Sequence, residues 1–550
     1  MNGAMRATVA VGATALLAAG CVHPRAGNPD VSGRAVDRAI AGHMAFLADD
    51  LLEGRGAGTR GHEIAARYVA TQFGNLGLEP GLGTNGWMQV VPFLESRVIE
   101  ESRQMSLRHA GGTEVLDCPA DFLITAPFTT THVSVRAPLV FVGFGVRAPE
   151  LGHDDLAGVD LKGKIAVVLA KAPSRFPATA LAHHSHARQK AKALAEAGAI
   201  GVISVPTPKD LVESPWARQI MQSKFPGMRW LGTDGQPADV VPQLQVSGSL
   251  SPSGAAKVFA RAPKPLAEVL AAGERGEVQG FPLNIEATLS VRADHGRTSS
   301  PNVIGVLRGS DPRLSGEAVV VTAHLDHQGI GAAVNGDAIY NGAYDNAVGI
   351  AMMLESARAL AMEGKRPRRT VVFSAVTAEE KGLRGSEYLA QHFPQGVGRP
   401  VANVNLDMVL VTQPTRKFTV LGIEHSTLRG PVEKAAGRAG LELVPDPRPE
   451  RVTFIRSDQY SFIRQGVPAI FPKVADIPGT QAKPGEVTPE VFVKDYYHRP
   501  SDDLSLPRDG ESSVRFVRFM VDVVRQVGDA KEAPRWNPGD FFGEMFGKGK

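Results

Sequence analysis

The chain has 550 residues, long for one domain and enough for two or three. Its 60 Lys and Arg against 57 Asp and Glu leave a formal charge of +3, too small at this length to favour a nucleic-acid partner. Composition is that of an ordinary soluble globular protein, and two cysteines are too few for a disulfide scaffold.

Met1 to Cys21 reads as a targeting segment: Arg6, an apolar stretch from Ala7 to Ala19, then Gly20-Cys21. The apolar part is too short to span a membrane as a permanent helix. Small residues before a Cys resemble a bacterial lipoprotein cleavage site. That resemblance implies export, Cys21 as a lipidated first residue, and a place in the cell envelope. Ala18 stands where such sites prefer Leu, so plain secretory cleavage is the alternative. No other run reaches membrane-spanning length, so the lipid would be the only membrane contact. With Cys21 lipidated, Cys118 has no partner, and nothing in its surroundings (VLDCPADF) forms a Cys–His motif.

Gly27 to Gly33 reads as a tether. From Arg34 to about Leu78 the spacing of Val36, Ile40, Met44, Leu47, Ile64, Ala65, Val69 and Phe73 predicts two helices. Between them, Leu52 to Gly61 (LEGRGAGTRG) reads either as a surface turn that starts the second helix or as a loop over an active site. Trp87 to Phe93 predicts a strand. From Ala137 to Ser249 the character changes: apolar Leu139–Gly145, a turn at Asp160–Lys164, apolar Ile165–Ala170, a helix at Ala187–Ala197, then Gly198–Ile203. His183-His184-Ser185-His186 lacks acidic neighbours in sequence and reads as a solvated loop or helix start. Phe281–Val291 and Ser300–Val306 then lead into a strand-rich core.

In that core three short β-branched runs each end at residues with metal-binding side chains. Glu317–Thr322 is followed by His324 and Asp326, Thr370–Val376 by Glu379-Glu380, and Val401–Leu406 ends at Asp407. Between the first two lie Tyr340–Ala347 (YNGAYDNA) and a helical pattern over Ala347–Leu360, with Asp345-Asn346 where an N-cap belongs. Strand alternating with helix predicts an α/β fold around a mixed, mostly parallel sheet flanked by helices. Ligands of such sheets bind beyond the carboxyl ends of the strands. Tyr497–Asp502 (YHRPSD) adds His498. Lys365–Arg369 (KRPRR), the densest basic cluster, falls in a helix-to-strand connection and reads as solvated.

His324, Asp345, Glu380, Asp407 and His498 form a mixed N/O set suited to zinc or a similar ion, enough for two metals sharing Asp345. A water between two cations loses its proton near neutral pH, and one of the Glu379-Glu380 pair is free to accept it. Asp326, two residues past His324, is expected to orient that imidazole through its other nitrogen. A single Glu-Glu pair is more often a solvated helix turn, but five motifs converging on strand ends are not reproduced by chance.

These motifs resemble those of the co-catalytic di-zinc aminopeptidase family, whose relatives include glutamate carboxypeptidase and the transferrin receptor. The resemblance covers the catalytic core and adds Arg456–Tyr460 (RSDQY) ahead of Gly466–Ile470 (GVPAI). It implies two Zn²⁺ per chain, one held by His324, Asp345 and Asp407 and the other by Asp345, Glu380 and His498. Glu379 would be the general base, and the peptide bond after Asp345 would be cis. Gln459 stands where many relatives have His, which touches only local substrate contacts.

The segment from Ala137 resembles the protease-associated domain, a small β-rich module inserted in many secreted peptidases, which contributes no metal ligands. The expected organisation is a leader at 1–21, a first part of the peptidase domain at 34–133, and the protease-associated insert at 134–280. The catalytic zinc-peptidase core would occupy 281–530 and a flexible tail 531–550. About fifty residues follow His498, too few for the helical dimerisation domain of the carboxypeptidase and receptor branches. The family reading implies an exported zinc exopeptidase acting on peptides, an aminopeptidase first. A carboxypeptidase or dipeptidase on the same site is the alternative, then glutaminyl cyclase chemistry, then a metal-binding protein without catalysis.

Overall fold

A computed structural model gives the fold for residues 33–477, 479 and 482–547, together with Met1 and Gly3. The leader and the tether up to residue 32 otherwise lie outside the described residues. Among these residues no helix is long and apolar enough to cross a membrane.

The β-branched runs form the parallel centre of a mixed sheet. Strand Glu317–His324 lies between Thr370–Val376 and Arg399–Asn405, with Ala469–Val474 parallel beyond the latter. Successive side chains of a strand point to opposite faces, and both faces here are apolar, as buried parallel strands require. Val319, Val321 and Ala323 pack beneath helices Gly33–Leu47, Val348–Met362 and Gly510–Asp529. Ala318 and Val320 pack on the other face with Leu389 and Phe462. The last of those helices buries Phe516, Phe519, Met520, Val523, Val524 and Val527 at helical spacing. Each such side chain contributes about 1.5–3 kcal/mol.

A second sheet is built from Gln104–His109, His132–Phe141, Ile165–Leu169, Gly201–Val205 and Val246–Leu250. It has its own apolar core around Phe141, Val167, Leu169, Ile203 and Val258. One 27-residue strand, Phe281–Leu307, joins the two sheets. Glu286–Arg292 pairs with the second sheet, while Ala293–Leu307 pairs with strands Met88–Val98 and Thr370–Val376 of the first. The second sheet therefore recruits strands from about residue 104, before the expected boundary at 134. Conversely, strand Gly227–Trp230, inside the expected insert, pairs with the first sheet.

Three expectations are corrected here. The tail is not flexible throughout, because Phe541–Phe546 is a helix whose Phe542 is fully buried among Trp536, Phe454 and Tyr460. Four aromatic residues in a short polar stretch, Trp536, Phe541, Phe542 and Phe546, were the available signal. The Lys365–Arg369 connection is not wholly solvated: Arg369 is buried, with Nε 2.7 Å from Glu317 and Nη1 donating to the Val527 carbonyl at 3.2 Å. The histidine run is not solvated either. His183 and His184 are buried, His184 Nε2 lies 2.7 Å from Glu150, and His183 packs edge-on to Phe541. The acidic partner comes from a distant loop, invisible to local sequence.

This burial has a pH consequence. Burial pushes the His183 imidazole from 6.5 down to about 4; burial and then the Arg55 charge push His62 to about 3. The unfolded chain takes up these protons below pH 6.5 while the fold refuses them, so stability is complete above 6.5 and lost as pH falls through 4. The melting temperature is expected to drop over that interval, and His183→Leu to flatten the drop. A slope unchanged by the substitution would show that His183 does not drive it.

Candidate metal centre

The parallel strands end level with one another, His324 opposite Val376 and Thr322 opposite Asn405. Their extensions deliver the expected residues to one place. His324 Nε2 lies 3.2 Å from Asp345 Oδ1 and 3.3 Å from Asp407 Oδ1. His498 Nε2 lies 3.3 Å from Asp345 Oδ2 and 3.0 Å from Glu380 Oε2. Asp345 thus stands between two imidazoles with one oxygen toward each. All five expected ligand residues come together.

The loop carrying Asp345 is fixed from several sides. The N–H groups of Tyr344 and Asp345 donate to the Asp502 carboxylate at 2.8 and 2.9 Å. The Asp345–Asn346 peptide bond is cis, and Asn346 Oδ1 accepts from the Gly349 N–H at 3.0 Å, opening the helix that follows. Gly342 has φ 61°, and a Cβ there would stand 2.3 Å from the Asp345 carbonyl oxygen and 2.5 Å from the His327 ring, so only glycine fits.

Asp326 does not act as expected. Its main-chain carbonyl, not its carboxylate, accepts from His324 Nδ1 at 3.0 Å, which leaves Nε2 free to face the acids. The Asp326 carboxylate instead accepts from the N–H groups of Glu379 and Glu380 at 3.1 and 3.3 Å, holding the turn that separates the two side chains. The spacing from His324 was right, but a two-residue separation cannot tell carboxylate from carbonyl.

His327 went unassigned in the sequence. It is fully buried, its Nδ1 lies 2.7 Å from Glu380 Oε1 and 4.0 Å from Asp345 Oδ2, and its Nε2 has no hydrogen-bond partner. His324–Asp345–Asp407 and His327–Asp345–Glu380 are the two groups whose ligand atoms all lie within 4.8 Å of one another among the described residues. Its place one residue after Asp326, in the same strand-end loop, was the only signal.

The donor set fits metal ions. Buried Asp326, Asp345 and Asp407 crowd together with the half-buried Glu379 and Glu380, and the buried His327 Nε2 has no hydrogen-bond partner. Like charges this close demand a compensating cation. Burial opposes charging of His498, yet Glu380 and Asp345 raise its imidazole to about 9. Burial pushes Glu379 well above the ordinary carboxyl range, reinforced by Asp407 and Glu380 against the opposing charge of His324. Such a shift toward neutrality suits a general base.

The Gly-rich segment after Leu52 is no lid: its exposed end starts helix Arg60–Asn75 with Thr59 as N-cap, as the surface-turn reading expected, but its first part is buried. Arg55 is buried behind the site; Nε donates to Leu325 O at 3.0 Å, Nη1 to Asn341 O at 2.6 Å and Nη2 to Gly342 O at 3.0 Å, with a further bond to Leu47 O. Gln459 is buried too, accepting from Asn405 at 2.9 Å and donating to Phe454 O at 2.7 Å, so it braces a strand end and does not meet substrate.

The site opens into a cleft of about 460 Å³ between the two sheets, lined by Glu379, Asp407 and His498 and, from the second-sheet side, by Lys171, Arg218 and Gln222. The Gln222 amide lies 2.8 Å from His498 Nδ1.

Fold and site together define an α/β protein with two groups of side chains able to hold a metal ion and sharing one carboxylate. Residues 302–522, which hold every one of these acids and imidazoles, match the sequence model of Peptidase family M28. An aminopeptidase from Aneurinibacillus sp. strain AM-1 has the same fold, with a TM-score of 0.52, 21% identity, and 91% of this chain and 94% of that one covered. A probable zinc metalloprotease of Pyricularia oryzae is 38% identical over 110 residues, 20% of each chain. Another, of Pyrenophora tritici-repentis, is 45% identical over 68 residues, 12% of this chain and 15% of that one. The matches thus span a fifth or less of these curated relatives.

Proposed function

We propose that the protein is a zinc-dependent exopeptidase, an aminopeptidase that removes amino-terminal residues from peptides. The observation that carries this reading is the pair of acid–imidazole groups sharing Asp345, with Glu379 beside them at the mouth of the cleft. His324, Asp345 and Asp407 would hold one zinc; Asp345 and Glu380 would hold the other with His498, and His327 is placed to join them. When bound, zinc supplies a Lewis acid for the peptide carbonyl and lowers the pKa of water. Glu379 takes the proton from the attacking water and delivers it to the departing amine. Asp326 keeps Glu379 turned to the cleft and Glu380 turned to the imidazoles. The similarity to proteins named as aminopeptidase and zinc metalloproteases supports the reading.

The test uses zinc-loaded protein and three short peptides: free amine with blocked carboxyl, blocked amine with free carboxyl, and both ends free. Cleavage of the first is expected. Cleavage of only the second or only the third would move the assignment to a carboxypeptidase or a dipeptidase, and cleavage of none would overturn it.

Gln222 gives a separate expectation. A group that orients a metal-binding imidazole tunes metal affinity by about 10–100-fold. Gln222→Ala is expected to weaken one of two zinc sites by about tenfold, read by competition with a chromogenic chelator. Unchanged affinity at both sites would show that the Gln222 contact does not support His498.

A further inference from the structure

Several cations line the cleft near the candidate metal centre, and most of them have partners. Lys171 pairs with Glu213 at 2.8 Å and Asp210 at 3.4 Å, Arg448 with Glu490 at 3.0 Å and Asp476 at 3.4 Å, and Arg451 with Asp476 at 3.0 Å. Arg218 gives its guanidinium to the carbonyls of Glu213, Val493 and Lys494. Asp446 accepts from the Arg448 N–H at 2.9 Å, and the remaining acids of the lining, Asp345, Glu379 and Asp407, belong to the candidate metal centre. Arg456 and Lys473 are different. Neither has a carboxylate partner among the described residues, and both line the cleft beside Glu379 and Asp407.

Local structure explains their position. Strand Ala469–Val474 runs parallel to Arg399–Asn405 with Asn403 opposite Ala469 and Val404 opposite Ile470. Continuing that register puts Lys473 level with Asp407, and its Nζ donates to the Asp407 carbonyl at 3.3 Å. Phe471, two residues earlier on the same strand face, supports the ammonium at 4.5 Å from its ring centre. Arg456 is exposed although its neighbours Ile455 and Ser457 are buried, so its side chain projects from a fixed turn into the cleft. Burial lowers the Lys473 ammonium, Asp407 and Asp345 oppose that, and the Arg456 charge adds to the lowering. Met408, Leu421 and Phe471 supply apolar wall around them. A cation pair on an apolar wall next to a reacting centre is the arrangement that recognises a carboxylate.

We infer that Arg456 and Lys473 form a carboxylate subsite, so that this enzyme prefers peptides carrying a carboxylate next to the scissile bond. This deepens, and rests on, the exopeptidase reading. Two sources share that chemistry: the side chain of an amino-terminal Glu or Asp, and the free carboxyl end of a very short peptide.

The experiment compares isosteres on full-length, zinc-loaded protein. Glu-Ala-amide against Gln-Ala-amide reads the side-chain source; Leu-Ala against Leu-Ala-amide reads the terminal source. The charged member of at least one pair is expected to have a kcat/KM tenfold or more higher, mostly through KM. Lys473→Met and Arg456→Met, each checked for two zincs per chain, are expected to cut that ratio at least tenfold. The Arg456→Glu, Lys473→Glu double variant is expected to favour Lys-Ala-amide over Gln-Ala-amide. Equal kcat/KM within both pairs would overturn the subsite and leave the exopeptidase reading standing. A preference that survives both Met variants would also overturn it. If no peptide is cleaved, calorimetry with L-glutamate and L-glutamine decides: tighter glutamate binding that Arg456→Met abolishes keeps the subsite, and equal binding sinks it.

Discussion

Replacing Glu379 by Gln is expected to lower kcat by about 10³-fold, within the 10²–10⁴ range of a positioned acid–base group. Zinc content should stay at that of the unsubstituted protein. The reasoning is geometric. Glu379 and Glu380 are adjacent, but Asp326 holds both main-chain N–H groups, so the side chains are committed to different tasks. Glu380 faces His327 and His498, whereas Glu379 lines the cleft. Gln keeps the size and polarity of Glu379 and removes only its ability to accept a proton. Measuring kcat with the peptide cleaved by the parent, alongside metal analysis, separates the two roles. Retained turnover would mean that another group is the base; lost zinc would mean that Glu379 is a ligand.

The second large effect concerns stability. Arg55→Met is expected to destabilise the fold by about 4 kcal/mol or more, because it strands the buried carbonyls of Leu47, Leu325, Asn341 and Gly342. Each such group left without a donor costs about 1–3 kcal/mol. Burial lowers the guanidinium to about 10, so it stays charged at neutral pH beside Asp502, Asp326 and Asp345. Chemical denaturation reads the loss, and Arg55→Lys should recover only part of it, since one ammonium cannot reach carbonyls arranged for a planar fork. A Met variant as stable as the parent would show that water replaces the guanidinium at no cost.

The contrast between these residues shows what sequence could reveal. Glu379, His324 and Asp407 were legible because each follows a β-branched run whose burial and direction are set by local composition, and parallel strands end on one side. Arg55 was not, because its partners lie up to 287 residues away and are main-chain atoms, which leave no trace in side-chain identity. Asp326 was half legible, since its spacing placed it beside His324 while the turn geometry decided which of its oxygens does what. His327 and Lys473 belong to the same group: a strand-end loop brings the first to the site and strand register the second, and no motif marks either. The main sheet and its helices were readable from periodicity. The extent of the second sheet was not, because short strands of unremarkable composition are assigned by their pairing partners.

Strand Phe281–Leu307 acts as a common beam for both walls of the cleft. One wall hangs from its first half and the metal-bearing wall from its second, so opening the entrance by swinging one wall away would have to bend a continuous hydrogen-bonded strand near Ala293. The aperture is therefore a property of construction and not of a moving door. On the exopeptidase reading, selection among peptides would happen at a doorway of fixed width, by which ends and charges fit through it.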